Sequence, residues 1–234
     1  SFGVHAPIVS PGGIVFFGRD MESSRQVWSA ESGYPGDFDY REFYKDVGWE
    51  LPMGDLKDFL PDGQRKNLGI KYYRVTGRGV DLGHKQPYAR SWAIERAASH
   101  AGNFLFNRQK QVEHLAGSTG HVPIVVSPYD AELYGHWWYE GPQFLDFLFR
   151  KMHFDQNVVK PTTPSEYLER FGELEVCQPP MCTWGADGYA EVWLNGSNDW
   201  IYPHLAMAAE RMVELARRHE HTNGLEWRAL NQAA

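Results

Sequence analysis

A long helical pattern that leads directly into a continuous apolar run is the feature that most limits how this chain can fold. Apolar residues recur at three- and four-residue steps across residues 90–116, which predicts one amphipathic helix. Gly117 and Gly120 follow and predict its end. Residues 122–126 are then apolar throughout, as in a parallel strand buried on both faces. A helix followed by such a strand indicates an α/β fold.

Shorter patterns add elements on either side of this pair. Residues 14–17 and 69–76 predict strands, the first of them buried between two glycines. Residues 20–28 predict a short helix, and residues 142–153 predict a further helix with a proline in its first turn. Residues 29–68, which we call the early loop, lie between the helix predicted at residues 20–28 and the strand predicted at residues 69–76. They are rich in Gly, Pro and Asp, which is typical of a long functional loop.

The chain changes character after the helix predicted at residues 142–153. The following residues are polar and interrupted by prolines, and the only later patterns are helical. We therefore place a domain boundary near residue 156, with half of an α/β barrel over residues 1–156 and a mainly helical part over residues 157–234. Its helices are predicted at residues 165–171, at residues 198–220 with Asn198 or Asp199 as the cap, and from residue 225 to the end.

The composition narrows the kinds of partner. A formal net charge of -7 argues against a general attraction to nucleic acid or to an anionic membrane, and no run approaches the ~20 apolar residues of a membrane helix. The 9 Trp, 12 Tyr and 13 Phe exceed what we expect a core to take up. Exposed aromatic rings match the apolar faces of sugars, so this excess favours carbohydrate as the ligand.

Two features of the chain bear on its setting. Cys177 and Cys182 are too few for a disulfide framework, and no signal peptide pattern is present, so we expect a reduced, cytoplasmic protein. The sequence lacks an initiator Met and stops within a helical pattern, so we expect a piece of a longer protein, cut at both ends.

Asp130 is the candidate reactive group. It follows the predicted strand at residues 122–126, and reactive side chains of α/β barrels lie on the loops after strands. Residues 131–141, which we call the Asp130 loop, combine aromatic and ionisable side chains. One interpretation is that Asp130 caps the next element or pairs with a basic residue. The other is a carboxylic acid in an aromatic pocket, which raises the pKa and lets the acid protonate a leaving oxygen.

Residues 127–142, SPYDAELYGHWWYEGP, resemble the fourth conserved region of the family 57 glycoside hydrolases of the α-glucan branching type. Residues 3–49 resemble the stretch that follows the nucleophile region in that family, and residues 184–212 resemble the fifth region. Amylases and 4-α-glucanotransferases of the family carry an Asp-Gly-Glu-Lys-type fourth region. The sequence Asp-Ala-Glu-Leu at residues 130–133 departs from it and favours the branching type.

The resemblance implies a partial, distorted (β/α)7 barrel followed by a mainly helical domain. It also implies a role for Asp130 as the general acid/base, and sugar stacking for Trp184 and Trp193, which we expect close to Asp130. Two residues of the Asp130 loop are candidates either for substrate contact or for loop support, Glu132 and His136. Three residues of the early loop are weaker candidates for acceptor contacts, with a structural role favoured for each: Arg41, Trp49 and Tyr34.

The reaction implied is a retaining transfer that cleaves α-1,4 and forms α-1,6 linkages between donor and acceptor α-1,4-glucan chains, without cofactor or metal. No Glu of this chain matches the family's nucleophile motif, and the first-region His-Gln-Pro is missing too. The piece alone is therefore expected to be inactive. Three alternatives stay open: an α-amylase or 4-α-glucanotransferase of the same family, a non-catalytic glucan-binding protein, and a metal-dependent deacetylase, against which the lack of a HxxxH pair argues.

Overall fold

The computed structural model describes residues 3–172, 174–183, 190–221 and 223–234, and it divides the chain into two compact units. The first unit, Ser1–Gln178, combines helices with a small sheet. The second, Pro179–Ala234, contains two helices in its described part. The chain is thus of mixed α/β type with a helical end. No helix in the described ranges is long and apolar enough to cross a membrane.

Two helices of the first unit form its main packing contact. Helix α4, Arg90–Thr119, packs against helix α5, Gly141–Phe154. The buried stripe of α4 begins with alanines at four-residue steps, which lets neighbouring groups approach its backbone closely. Helix α5 buries two large side chains four residues apart. These buried residues are Ala93, Ala97, Ala101, Phe104 and Leu105 on α4, and Phe144 and Leu148 on α5.

Aromatic rings fill the space beside these helices. Trp138 and Tyr40 are each 1% exposed, with ring centroids 5.4 Å apart, and Trp138 lies 5.0 Å from Phe144. Tilted and edge-on arrangements of this kind are favoured between aromatic rings. Because Tyr40 comes from the early loop and Trp138 from the loop after Asp130, the core joins these two loops.

The remaining elements are short. Helix α1 spans Met21–Trp28, α2 spans Val47–Glu50, α3 spans Met53–Leu56 and α6 spans Pro164–Arg170. In the second unit, α7 spans Ile201–Arg218 and α8 spans Gly224–Ala233. Single 3-10 turns cover Gly3–His5, Tyr34–Gly36, Lys57–Phe59, Leu82–His84 and Ala131–Leu133.

The sheet contains three strands of two residues each in the order β2-β1-β3. β1, Ile8–Val9, pairs antiparallel with β2, Val15–Phe16, so that Ile8 faces Phe16. On its other side β1 pairs parallel with β3, Glu175–Val176. The strand predicted at residues 14–17 is therefore present, but the prediction that it is buried is wrong, because Phe16 is 42% exposed.

The prediction of an interior strand at residues 122–126 is also wrong. This segment is extended but belongs to no strand of the described residues. It makes separate backbone bonds with two loops, from the Ile124 N–H to the His5 carbonyl oxygen (2.9 Å) and from the Asp20 N–H to the Val126 carbonyl oxygen (2.8 Å). Pro123 has no N–H to donate, so a regular ladder is interrupted there. Residues 69–76 likewise make only isolated bridges, at Tyr73 and Arg74.

The predicted helices are confirmed, with one difference in capping. Helices α1, α4, α5, α6, α7 and α8 match the six helical patterns, and α4 ends where Gly120 adopts φ 70°. The residue at the N-cap position of α7 is Trp200 instead of Asn198 or Asp199, and its side chain makes no capping bond. The first unit continues past residue 156 to Gln178, because Tyr167 of α6 is buried and donates to the Val122 carbonyl oxygen (2.6 Å).

Candidate functional site

Asp130 lies at the end of the extended segment, directly before the turn Ala131–Leu133. Its side chain is exposed and does not cap this turn. Among the described residues the Asp130 carboxylate makes no ion pair and no hydrogen bond. Neither structural role considered for it, capping or pairing, is seen among the described residues. The enclosing aromatic pocket of the other interpretation is not seen either, because the Asp130 side chain is exposed and does not line the cleft described below.

The backbone around Asp130 is nevertheless held firmly on both sides. The Ser127 hydroxyl contacts the Ser23 hydroxyl, and the Tyr129 hydroxyl donates to the Ser23 carbonyl oxygen (3.0 Å). Burial raises the pKa of Tyr129 to about 12, so this phenol stays protonated and able to donate. On the other side Leu133 is 4% exposed and belongs to the core. The exposed Asp130 carboxylate therefore belongs to a segment whose flanking residues are held in place.

The contacts at Ser23 belong to a buried network centred on Asp20, which the sequence analysis missed. One Asp20 oxygen accepts from Gln111 Nε2 (2.8 Å) and lies 3.0 Å from His5 Nε2. The other accepts from the Ser23 N–H (2.8 Å) and from Arg108 (3.3 Å). Burial alone would raise the pKa of Asp20, but the bonds from Ser23, His5 and Gln111 lower it to about 2.

The loop after Asp130 places two consecutive tryptophans in opposite environments. The Gly135 N–H donates to the Trp138 carbonyl oxygen (2.8 Å), and Gly135 has φ 95°, a conformation that glycine adopts without strain. The resulting turn buries Trp138 in the core and leaves Trp137 51% exposed. The loop thus anchors itself with one indole and presents the other to solvent.

Glu140, at the end of this loop, is a buried carboxylate that bonds to two other segments of the chain. It is 1% exposed, and its Oε1 accepts from the Tyr88 hydroxyl (2.6 Å) and from the Arg41 N–H (3.2 Å). Burial raises the pKa of Glu140, although these two bonds act in the opposite direction. Its Oε2 has no partner among the described residues. The Arg41 guanidinium lies 3.6 Å from the centre of the Tyr139 ring. The early loop and the Asp130 loop are therefore joined at a buried carboxylate.

Beside this junction lies a cleft of about 730 Å³, within the size range of small-molecule sites. Its walls come from the early loop, from residues 75–85 and from the Asp130 loop. The Phe43 ring stacks on the Trp137 ring at 4.5 Å on one side of it. The walls also include Trp28, Arg41, Tyr44, Lys85 and Leu133.

The residues predicted from the sequence fall into different places. Arg41 lines the cleft, and the His136 ring meets the Phe43 ring edge-on at 5.4 Å. Tyr34 is buried and donates to Asn103 Oδ1 (2.7 Å), which is a structural role.

The others stand apart from the cleft. Trp49 is 57% exposed and donates to Asn67 Oδ1 (2.7 Å) without lining the cleft, and Glu132 is exposed. Trp193 is 58% exposed in the second unit, and Trp184 lies outside the described residues. Their predicted position close to Asp130 stays a prediction.

Comparison with known proteins gives clear matches. No protein-family model matches the chain. The chain is 34% identical over 222 residues to the 1,4-alpha-glucan branching enzyme TK1436 of Thermococcus kodakarensis, which is 94% of this chain and 30% of that protein. The crystal structure of TK1436 matches with a TM-score of 0.73 at 32% identity, over 98% of this chain and 38% of that one. The α-amylase AmyC of Thermotoga maritima matches with a TM-score of 0.76 at 40% identity, over 95% and 41%.

These matches define the family of the protein. The chain belongs to glycoside hydrolase family 57, as the resemblance of residues 127–142 predicts. The relatives that match it at 31–34% identity are named as 1,4-alpha-glucan branching enzymes. The chain spans less than half of the length of each of these relatives.

Proposed function

We propose that this chain is part of an enzyme that branches α-glucans, cleaving an α-1,4 linkage and forming an α-1,6 linkage. The observation that carries the proposal is the 34% identity to a 1,4-alpha-glucan branching enzyme over 94% of the chain. The geometry supports it, because Asp130 is an exposed carboxylate without a protein partner among the described residues, and Leu133 and Trp137 of the loop that follows it line a cleft of fitting size.

In the proposed mechanism Asp130 acts twice. Protonated, it donates its proton to the glycosidic oxygen, and the part of the donor chain on the reducing side of the cleaved bond leaves while a second carboxylate bonds to the anomeric carbon of the other part. Ionised, it then takes the proton of an acceptor 6-hydroxyl, whose oxygen displaces the second carboxylate with net retention. A retaining pair needs its carboxyl groups ~5–5.5 Å apart. No Glu of this chain matches the family's nucleophile motif, so the proposal assigns that role to a group beyond these residues.

The proposal includes the finer expectations from the sequence. Residues 1–156 form part of a distorted (β/α)7 barrel, and residues 157–234 begin a helical domain. Trp184 and Trp193 stack against sugar rings, and Glu132 and His136 lie close to the substrate. Donor and acceptor are α-1,4-glucan chains, the protein is cytoplasmic, and the reaction needs no cofactor.

A hydrolase is the second candidate, favoured by the match to the α-amylase AmyC at 40% identity. The same acid/base step serves hydrolysis when water takes the place of the acceptor hydroxyl. The two activities separate when amylose is treated with the whole protein and then with a debranching enzyme. Released short chains indicate branching, whereas reducing sugar formed before debranching indicates hydrolysis.

Asp130→Asn in the whole protein tests the proposed role. We expect a loss of at least about 10²-fold in turnover, because general acid–base catalysis contributes ~10²–10⁴-fold. Glucan binding should persist. A glucosyl fluoride needs no acid in the first step, so this donor should still load the nucleophile and trap a glycosyl-enzyme intermediate, seen by mass spectrometry.

The matched control is Asp146→Asn, an exposed carboxylate of α5 paired with Arg150 (2.9 Å), which should keep full turnover. Branching by Asp130→Asn at close to the normal rate would exclude Asp130 as the acid. Unfolding of Asp130→Asn, with Asp146→Asn intact, would point to a structural role instead.

A further inference from the structure

The short segment that leads to Asp130 is attached to the rest of the protein through side chains. Before it, the Val126 carbonyl oxygen accepts from the Asp20 N–H (2.8 Å), and after it the Asp130 carbonyl oxygen accepts from the Leu133 N–H (3.2 Å). Between these two points, within the part of the chain that the structure describes, residues 127–129 make no backbone–backbone hydrogen bond. The position of Asp130 therefore depends on what holds the side chains of residues 127–129.

One residue of helix α1, Ser23, contacts two of these side chains. The Ser127 hydroxyl contacts the Ser23 hydroxyl, and the Tyr129 hydroxyl donates to the Ser23 carbonyl oxygen (3.0 Å). The Ser23 hydroxyl itself donates to Asp20 Oδ2 (2.5 Å), so its oxygen accepts the contact from Ser127. Because Ser23 is fully buried, water does not compete with the protein for these bonds.

Ser23 is in turn fixed by two helices. Asp20 caps helix α1 by accepting from the Ser23 N–H (2.8 Å), and the same Asp20 oxygen accepts from Arg108 of helix α4 (3.3 Å). Arg108 is 3% exposed, and α4 packs against α5 in the main contact of the first unit. The residues before Asp130 are thereby tied, through Ser23 and Asp20, to the helical core.

From this arrangement we infer that Ser23, Ser127 and Tyr129 are positioning residues for the proton transfers of Asp130. The inference rests on the proposed function and deepens it, since it names what holds the acid/base in place. The Asp130 carboxylate has no bond of its own among the described residues that could offset a shift of its backbone. Proton transfer needs the two heavy atoms within ~2.6–3.2 Å, and a misplacement of ~1 Å can lower a rate by ~10²-fold. Loss of these contacts should therefore weaken acid–base catalysis without removing any group that reacts.

Tyr129→Phe in the whole protein tests the inference, because it removes one hydroxyl and keeps the ring. We expect the turnover of amylose to fall by about tenfold with KM nearly unchanged, since the glucan still binds and only the acid/base is displaced. A glucosyl fluoride needs no acid in the first step. Fluoride release in the first turnover, followed by rapid mixing, should therefore keep the wild-type rate. Ser127→Ala should show the same selective loss.

Tyr134→Phe is the matched control. Tyr134 packs against the same core as Tyr129, and the two rings meet edge-on at 5.9 Å. Its buried hydroxyl, however, has no hydrogen-bond partner among the described residues. Removing that hydroxyl should leave both the turnover of amylose and the release of fluoride at the wild-type rate.

The outcomes separate this inference from the proposed function. Normal turnover of amylose in both Tyr129→Phe and Ser127→Ala, or an equal loss in Tyr134→Phe, overturns the positioning role and leaves the role of Asp130 standing. An equal loss with amylose and with glucosyl fluoride also overturns it, because a general disturbance of the fold does not distinguish the two donors. If one variant fails to fold, the other decides, and unfolding of both would make the contacts structural and overturn the inference. Full turnover in Asp130→Asn would instead overturn the proposed function itself. A loss confined to amylose supports positioning.

Discussion

Two carboxylates of one loop, Asp130 and Glu140, show how environment decides what a side chain does. Asp130 is exposed and has no partner among the described residues, so it is available for proton transfer with a bound molecule. Glu140 is buried and receives bonds from Tyr88 and Arg41, so it ties two loops together. The residue type is nearly the same, and the difference in hydration and hydrogen bonding decides whether the carboxylate is free to meet another molecule or is engaged within the fold.

Asp20 gives a prediction about stability and pH. Its pKa in the folded protein is about 2, below the ordinary 3.8, so the bonds to its ionised form stabilise the fold above pH 3.8. This contribution, roughly 2 kcal/mol, is lost as the pH falls from about 4 to 2. We therefore expect Asp20→Asn to be less stable than wild type at pH 6, with the difference shrinking as the pH approaches 2.

Urea unfolding at several pH values measures this difference. Asp146→Asn is the control, since an exposed pair contributes about 0–1 kcal/mol. A constant difference between wild type and Asp20→Asn across this pH range would contradict the assigned pKa.

For single residues, the sequence predicts a role only where that role depends on residues nearby in the chain. Asp130 could be selected as a candidate because it directly follows an apolar segment and lies in a recognisable motif. Asp20 and Glu140 could not, since their partners Arg108 and Tyr88 lie 88 and 52 positions away. The only local signal for Asp20 is its place before a helical pattern, where an aspartate is a common cap.

Among the elements, the early loop shows that little regular structure does not mean little order. Buried Asp46 accepts hydrogen bonds from the backbone N–H groups of Gly48, Leu68 and Gly69, each at 2.9 Å. Burial would raise the pKa of Asp46, but these bonds together lower it. One side chain thereby holds together two turns that are about twenty residues apart.

Gly48 and Gly54 form a matched pair for testing this packing. A Cβ at Gly48 would lie 1.9 Å from the Lys66 carbonyl oxygen, whereas a Cβ at Gly54 would meet nothing within 4 Å. We expect Gly48→Ala to reduce the free energy of unfolding by about 1–3 kcal/mol, the usual cost of overpacking. Gly54→Ala should be neutral or slightly stabilising. Equal stability of the two variants in urea unfolding would show that the turns are not packed as described.

All six predicted helices are present, but of the three predicted strands only the one at residues 14–17 is, and the difference has a physical reason. An amphipathic helix such as α4 shows its repeat of 3.6 residues per turn within its own sequence. A strand needs a partner, and the apolar run at residues 122–126 carries no information about which backbone lies beside it. In the structure its neighbours are two loops that each supply a single hydrogen bond, so the run stays extended without joining the sheet.

For the whole molecule, the buried residues are unevenly distributed between the two units. The hydrophobic core cluster lies within Ser1–Gln178. Helices α7 and α8 of the second unit contain no buried residue. Because α7 and α8 contribute no residue to the buried core, we expect the first unit to be stable without them.

Removal of residues 179–234 tests this division. We expect residues 1–178 to unfold cooperatively, with a midpoint within about 4 °C of the full chain, since a change under 1 kcal/mol shifts the midpoint by roughly 2–4 °C at this size. Thermal melting followed by near-ultraviolet circular dichroism measures it. A truncated chain without a cooperative transition would mean that the two units form one folding unit.

The Asp20 network has a consequence for how the protein is made. Synthesis delivers Asp20 and its helix-capping contact with Ser23 early, whereas Arg108 and Gln111 follow 88 and 91 residues later. At about 5–20 residues per second the ribosome needs roughly 5–20 s to supply them. During this interval Asp20 cannot be enclosed, because burying its charge without Arg108 is unfavourable. The segment around Asp20 must therefore stay hydrated until then, and the contacts of Ser127 and Tyr129 with Ser23 can form only after residue 129 has been made.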